Sequence, residues 1–358
     1  MRWGLVSLLM GMAWCMGACA PAPVVAPAPR STSVPPSAAK PRLPAVRPEP
    51  ERPIITAERL MTHVDALCAE ELAGRRAYSE DEVAAADYLV AELEKAGIEP
   101  YGDVRRHAFT VGRHRSENVL GVVACDGCND PDAYIVLGAH YDHMGELADG
   151  LYLGAEDNAS GVAVVLEIGR VLMHRRDELG RSVLLAFFGA EEVGLKGSRA
   201  MVRDEALGPE RWSAMINVDM IGRRTADRSI FALPKSLAGI DDDNSVGALG
   251  TKGRPAFRQI VDAAFATEGL TVVAPENLNP VLQRMVERIA DGRGDNFSFE
   301  RIGVPAIFFS SGESDDYHRP TDTPDALEPA LMARRARGIL ETVVALSQLK
   351  ELPPGTGR

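Results

Sequence analysis

Five short polar segments contain residues that could bind metal ions and move protons. Each follows a run of apolar residues, and open α/β sheets place their ligand sites where strands end. Together the segments supply two histidines and three carboxylates, with one further carboxylate to spare. Such a set could hold two zinc ions about 3.5–4 Å apart that share one carboxylate. The segments are residues 138–143, 156–161, 189–194, 217–222 and 317–323.

The individual residues suggest different chemical roles. A neutral imidazole such as that of His140 can bind a metal while a carboxylate, here Asp142, holds its other nitrogen. The adjacent acids Glu191 and Glu192 follow the most apolar run, where one can bind metal while the other accepts a proton from water. Taken singly, each segment has an ordinary alternative. The acids at 156–157 could cap a helix, Asp219 could serve a turn, and a loop histidine such as His318 needs no function.

The charges of the combined set are balanced. Two Zn²⁺ ions bring four positive charges, which three carboxylates and one bridging hydroxide would cancel. The chain as a whole has a formal charge of −12, which argues against nucleic acid as a partner.

Apolar runs that alternate with helical patterns must position these segments. They predict an α/β fold, a three-layer sandwich with a largely parallel central sheet. An Asp126-Gly127 turn predicts a hairpin between the first two strands, so the sheet should be mixed. The predicted strands are residues 118–124, 134–139, 182–189, 213–218 and 304–309. The predicted helices are residues 57–72, a segment capped by Ser79 and Glu82 that ends near Gly97, and residues 158–176, 255–268 and 328–348.

The start of the chain is expected to lie outside this fold. Residues 1–18 are typical of a signal peptide, because the apolar run after Arg2 is too short to span a membrane as a mature helix. The residues that end in Cys19 resemble the site where bacterial lipoproteins are cut and acylated, with an ordinary secretory signal as the alternative. The Pro-rich residues 19–53 predict a disordered tether. A globular domain over 54–350 and a disordered tail over 351–358 follow, in an exported protein attached to a bacterial membrane.

The cysteines predict one local disulfide. Cys125 and Cys128 frame the Asp126-Gly127 turn without a second pair, which favours a disulfide over a redox or zinc element. Cys68 is expected to be a buried thiol on a helix.

The five segments, in this order and spacing, resemble the co-catalytic dizinc aminopeptidases, the group that contains bacterial leucyl aminopeptidase and glutamate carboxypeptidase. The resemblance covers roughly residues 55–350 and implies the zinc-exopeptidase fold, two Zn²⁺ ions and peptide substrates. It also implies a cis peptide bond between Asp157 and Asn158. Asn296 departs from the family pattern, which often has His there. The implied ligands are Glu192 and His318 at one ion, His140 and Asp219 at the other, and Asp157 at both.

The resemblance also assigns the residues that act on the peptide. Glu191 would be the general base for a hydroxide that bridges the metals and attacks the N-terminal peptide bond. Asp142 would orient His140, and Tyr317 would donate a hydrogen bond to the oxyanion.

Three other functions are compatible with the same segments. A carboxypeptidase or dipeptidase would differ only in the loops beside the metals. A glutaminyl cyclase would use one zinc and usually has Trp where this chain has Tyr317. A non-catalytic binding module would have lost ligands, yet all are present. The acidic residues 313–316 favour recognition of a peptide's amino end, whereas Arg223 and Arg224 could bind a carboxyl end.

Overall fold

The computed structural model describes residues 53–128, 130–224, 244–290 and 292–355. The predicted signal peptide, Cys19 and all of the predicted tether except Pro53 lie outside these residues. Among the residues described, no helix is both long and apolar enough to cross a membrane.

An eight-stranded sheet forms the centre of the fold, in the order β1-β2-β6-β3-β7-β10-β8-β9. Two further strands, β4 and β5, pair only with each other. The strands are β1 (Arg106–Val111), β2 (His114–Val123), β3 (Tyr134–His140), β4 (Gly145–Leu147), β5 (Gly150–Tyr152), β6 (Ser182–Phe188), β7 (Trp212–Val218), β8 (Ser245–Leu249), β9 (Thr271–Val273) and β10 (Ala306–Ser310).

The four central strands, β6, β3, β7 and β10, run parallel to one another. β3 pairs in parallel with β6 and β7, and β7 pairs in parallel with β10. The outer strands β2 and β8 run antiparallel to β6 and β10. The predicted mixed, largely parallel sheet is therefore confirmed.

The predicted hairpin between the first two predicted strands is wrong. β6 lies between β2 and β3, so that Leu185 pairs with Gly121 on one side and with Leu137 on the other. The disulfide between Cys125 and Cys128 is present, but it lies in a connection that passes β6. A short turn motif is compatible with a direct hairpin and with a connection that passes another strand. It does not determine whether a third strand lies between the two that it joins. The hairpin at this end of the sheet instead joins β1 to β2.

Helices cover both faces of the sheet. Along β6, Val183, Leu185 and Phe187 pack into one apolar core, and the residues that alternate with them pack into another. The first core is closed by α1, α2, α3, α5 and α8, and the second by α4 and α7. This confirms the three-layer sandwich. The helices are α1 (Ala57–Leu67), α2 (Glu80–Lys95), α3 (Gly161–Leu172), α4 (Lys196–Arg203), α5 (Pro255–Ala266), α6 (Pro280–Ala290), α7 (Asn296–Glu300) and α8 (Pro329–Gln348).

The structure changes several predicted boundaries. Ser79 caps α2 as predicted, but Glu82 does not complete a capping box, because its Oε2 accepts from the main-chain N–H of Tyr78 and not from that of Ser79. The predicted helix over 57–72 ends at Leu67, and that over 158–176 begins only at Gly161. Five strands and three helices were not predicted from the sequence, namely β1, β4, β5, β8, β9, α4, α6 and α7.

The predicted disordered tail begins too early. Leu352 packs against the first core, and the main-chain N–H of Gly355 donates to the carbonyl oxygen of Gly303 at 3.1 Å. Residues 351–355 therefore contact the domain.

Candidate metal centre

The five predicted metal ligands come together at the carboxyl ends of the parallel strands. Strands that run parallel end at the same edge of a sheet, which is where such proteins bind ligands. His140 ends β3, Asp219 follows β7, Glu192 lies in the loop after β6, His318 lies in the loop after β10, and Asp157 lies in the turn before α3.

Three of these residues form the His140 site, defined by His140, Asp157 and Asp219. The Nε2 atom of His140 lies 3.2 Å from Asp157 Oδ1 and 3.4 Å from Asp219 Oδ1. Neighbouring ligand atoms of a tetrahedral zinc with bonds of 2.0–2.1 Å are about 3.3 Å apart. The separations around His140 therefore match two edges of such a tetrahedron.

The His318 site, defined by His318, Asp157 and Glu192, has the same dimensions. His318 Nε2 lies 3.2 Å from Asp157 Oδ2 and 3.1 Å from Glu192 Oε2. Asp157 thus presents one oxygen to each site, which is the geometry of a bridging carboxylate.

Asp157 is held in this position by its neighbours. Its main-chain N–H donates to the Asp322 carboxylate at 3.1 Å. The peptide bond between Asp157 and Asn158 is cis, as the resemblance implied. The Asn158 side chain then donates to the Val218 carbonyl oxygen and accepts from the Met220 N–H, which ties the turn to the end of β7.

The two sites fit zinc by donor type and by their unmatched polar atoms. Asp219 Oδ1 and His318 Nε2 are buried and make no hydrogen bond within the described part of the chain. Buried carboxylates normally pair with cations, because an isolated buried charge costs too much free energy. Imidazole and carboxylate donors at these separations are a donor set that zinc accepts.

Glu191 lies beside both sites but pairs with neither histidine. Its side chain lines the cavity that opens onto the His140 site. Burial raises the pKa of the Glu191 carboxyl well above its ordinary value; nearby His140 opposes this effect, and Asp295, Glu192 and Asp219 reinforce it. A carboxyl group with a raised pKa is suited to accept a proton and release it again.

Asp142 has different partners from those expected. Its carboxylate accepts hydrogen bonds from the main-chain N–H groups of Glu191 and Glu192, at 2.9 and 3.2 Å. His140 Nδ1 lies 3.2 Å from the main-chain oxygen of Asp142 but 3.8 Å from the carboxylate. Asp142 therefore faces His140 through its main chain, while its side chain fixes the loop after β6. Sequence spacing alone cannot distinguish these two atoms of one residue.

Tyr317 forms part of the wall of the same cavity. Its ring stacks on the His318 ring with centroids 3.9 Å apart, and burial raises the pKa of its phenol. Apolar side chains also line the cavity. These are Met220, Leu249 and Phe308.

One buried histidine at the centre was given no role from the sequence. His143 Nδ1 lies 2.9 Å from Glu192 Oε1 and 3.8 Å from Asp157 Oδ2. The spacing His140-Tyr141-Asp142-His143 was visible, but nothing in it shows that the second imidazole points inward.

The acidic segment at the rim has cationic partners. Asp316 pairs with Arg223 at 2.6 Å, and Glu313, which lines the cavity, pairs with Arg293 at 2.5 Å. Neither acid is the free negative charge that the sequence suggested.

Comparison with known proteins identifies the family. The model of peptidase family M28 matches residues 118–343, so the chain belongs to peptidase family M28. This confirms the expected class, the zinc metallopeptidases. A probable zinc metalloprotease of Pyrenophora teres f. teres is 35% identical over 130 residues, which is 35% of this chain and 26% of that protein. Leupeptin-inactivating enzyme 1 of Streptomyces exfoliatus is 23% identical over 91% of this chain and 69% of its own length.

Solved structures share the fold. The LapA aminopeptidase of Legionella pneumophila superposes with a TM-score of 0.62 at 19% identity, over 83% of this chain and 72% of that chain. Porphyromonas gingivalis glutaminyl cyclase reaches a TM-score of 0.56 at 18% identity, over 81% and 98% of the two chains. The chain spans only about a quarter of the first relative's length, and the fold is shared by hydrolases and a cyclase.

Proposed function

We propose that this protein is an aminopeptidase that binds two zinc ions and hydrolyses the N-terminal peptide bond of its substrates. The observation that carries the proposal is the position of Asp157, whose two oxygens face two separate ligand sets. Glu191 lies beside both sets and remains available for proton transfer. His140 and Asp219 would hold one ion, His318 and Glu192 the other, and Asp157 both.

The chain's own residues would divide the work of hydrolysis. Zinc, when bound, supplies Lewis-acid polarisation of the scissile carbonyl. Glu191 takes a proton from the attacking water and delivers it to the departing amine, for which its position in the wall of the cavity beside the ligands is suited. The Tyr317 hydroxyl donates to the oxyanion that develops on the carbonyl oxygen.

The wall of the cavity supports binding of a terminal residue, and the rim favours neither end of a peptide by charge, because its acids and arginines pair with one another. Met220, Leu249 and Phe308 offer an apolar surface for the side chain of the terminal residue. A carboxypeptidase would need a guanidinium for the terminal carboxylate, yet both Arg223 and Arg293 already pair with acids.

Blocked substrates distinguish the two peptide ends. Acetylation of the N-terminus of a good substrate should abolish cleavage, and amidation of its C-terminus should change the rate little. The reverse pattern would make the protein a carboxypeptidase.

A glutaminyl cyclase is the second candidate, because its fold is shared with this chain. The two ligand sets around Asp157 and the presence of Tyr317 favour hydrolysis. A peptide with N-terminal glutamine tests this directly. Release of free glutamine, with two zinc ions per chain, supports the peptidase; loss of ammonia without cleavage, with one zinc, supports the cyclase.

We also propose that residues 1–18 direct export and that Cys19 carries a lipid anchor, with residues 19–53 as the tether. The support is the sequence of the leader alone. Cys19→Ser should move the protein from the membrane fraction to the soluble fraction of an expressing bacterium. A wild-type protein recovered only in the soluble fraction would refute the anchor.

A further inference from the structure

We infer that His143 is a positioning residue that sets how Glu192 binds the metal of the His318 site; the inference rests on the proposed function. The two oxygens of Glu192 have different neighbours. Oε2 lies 3.1 Å from His318 Nε2, and Oε1 lies 2.9 Å from His143 Nδ1. Only Oε2 is therefore directed toward the His318 site.

His143 competes with His318 for the place beside Glu192, because His143, Asp157 and Glu192 also lie close enough together to form a metal-ligand group. The distance of its ring from Asp157 favours a hydrogen bond to Glu192 instead. The contact of 2.9 Å between Nδ1 and Oε1 has an ordinary hydrogen-bond length, and it requires the tautomer of His143 with its hydrogen on Nδ1, since an ionised carboxylate can only accept. His143 Nδ1 is also 3.8 Å from Asp157 Oδ2, farther than either His140 or His318 is from that carboxylate.

The surroundings of the His143 ring favour its contact with Glu192 over other polar contacts. The side chain is fully buried, and Nε2 makes no hydrogen bond among the residues described. The main-chain N–H of His143 donates to the Arg75 carbonyl oxygen at 3.1 Å. Gly154 has a φ of 61°, and a Cβ atom at that position would lie 2.4 Å from Cγ of His143. The fold thus reserves space for the imidazole.

The consequence is a one-oxygen contact between Glu192 and the metal. With Oε1 held by His143, Glu192 can offer only Oε2, which keeps a coordination position of the His318 site open for water or substrate. Partners that orient metal ligands in this way usually contribute a factor of 10–100 to metal affinity.

Two substitutions separate this role from simple packing. His143→Leu fills the space without a donor, whereas the Nδ2 group of Asn in His143→Asn can replace the Nδ1 donor. The half-buried His174, which lies just beyond α3, gives the control His174→Asn. Zinc affinities of both sites would be measured by chelator competition on the metal-free full-length protein, with thermal melting to confirm folding. When Co²⁺ replaces zinc, its visible absorption weakens as the coordination number increases. This absorption therefore reports whether Glu192 binds the metal through one oxygen or through two.

For His143→Leu we expect one of the two zinc affinities to fall roughly 10–100-fold while the other stays near the wild-type value. The Co²⁺ absorption should weaken, since Oε1 becomes free to bind. His143→Asn should recover most of the lost affinity, and His174→Asn should match the wild type.

Three results would overturn the inference. Unchanged affinities in His143→Leu would do so, as would an equal loss at both sites. Failure of His143→Asn to recover affinity would instead indicate that the imidazole is itself a ligand. Fewer than two zinc ions in the wild-type protein would refute the proposed dizinc site and this inference together, whereas two zinc ions with an unaffected His143→Leu variant would refute only the inference.

Discussion

A single buried acid on α3 and the group of buried acids at the metal centre are neutralised in different ways. Away from the metal centre, the buried Glu167 on α3 accepts hydrogen bonds from Arg59 and Arg170, and His63 lies 3.4 Å from it. At the metal centre, Asp157, Glu192 and Asp219 face histidines, and in the described part of the chain no Lys or Arg forms an ion pair with them.

The difference shows which cluster is complete without a ligand. The Glu167 cluster contains its own cations, so its acid has a structural role. In the described part of the chain, the acids of the metal centre form no ion pair with Lys or Arg, and their oxygens group with histidine nitrogens at two points, one at His140 and the other at His143 and His318. A histidine must be neutral to bind zinc, so the positive charge at these points would then come from bound metal ions.

The largest expected effect separates Glu191 from the other acids of the centre. Glu191→Gln removes the proton acceptor and leaves all five proposed ligands, so turnover should fall roughly 10²–10⁴-fold while two zinc ions remain bound. Steady-state kinetics and elemental analysis check this, with the exposed Glu71→Gln as control. Activity within about tenfold of the wild-type value would show that Glu191 is not the general base.

Removal of metal should lower the stability of the protein through the metal centre and leave the contacts of Glu167 unchanged. Without zinc the three ligand carboxylates face one another, so chelation should lower the melting temperature. A ligand at a thousand times its dissociation constant stabilises the folded state by about 4 kcal/mol. An unchanged melting curve after verified metal loss would mean that these acids do not form a preformed site.

Glu167→Gln should lower the stability of the protein without changing zinc binding or turnover, whereas Glu191→Gln should lower turnover. Loss of the carboxylate removes the ion pairs of Glu167 with Arg170 and with the half-exposed Arg59, which should cost about 2 kcal/mol in the free energy of unfolding. Zinc content and kcat should stay at their wild-type values. Loss of zinc from the folded variant would show that the two clusters are coupled.

The smallest effect is the pH dependence of the Glu167 cluster. Burial by itself raises the pKa of Glu167, but the contacts with His63, Arg170 and Arg59 prevail and lower it to about 2 from its ordinary 4.5. Its contribution is therefore complete above the unfolded pKa and is lost as the pH falls from 4.5 toward about 2. In metal-free protein, the stability difference between wild type and Glu167→Gln should shrink as the pH falls from about 4.5 to about 2. A stability difference that stays constant over this pH range would contradict the lowered pKa of Glu167.

The residues that lie at strand ends could be predicted from the sequence. The apolar runs before His140, Glu191 and Asp219 located the strand ends, and parallel strands brought those residues to one edge. The error at Asp126-Gly127 arose because a turn motif does not specify which strand will insert beside it. The short strands β8 and β9 gave too weak a pattern to be recognised.

Residues whose roles depend on distant contacts could not be assigned. His143 points inward because Gly154 leaves room for its ring. The Asp142 carboxylate binds main-chain N–H groups nearly 50 residues away, and the rim acids meet arginines from other loops. None of these pairings leaves a signal in local spacing.

Anomalous diffraction at the zinc absorption edge, from crystals of the purified protein, would show whether two zinc ions share Asp157. Two peaks roughly 3.5–4 Å apart are expected. One should lie between His140 and Asp219, the other between His318 and Glu192, and each should contact a different oxygen of Asp157. A single peak, or none at Asp157 in a fully active crystal, would contradict the dizinc centre.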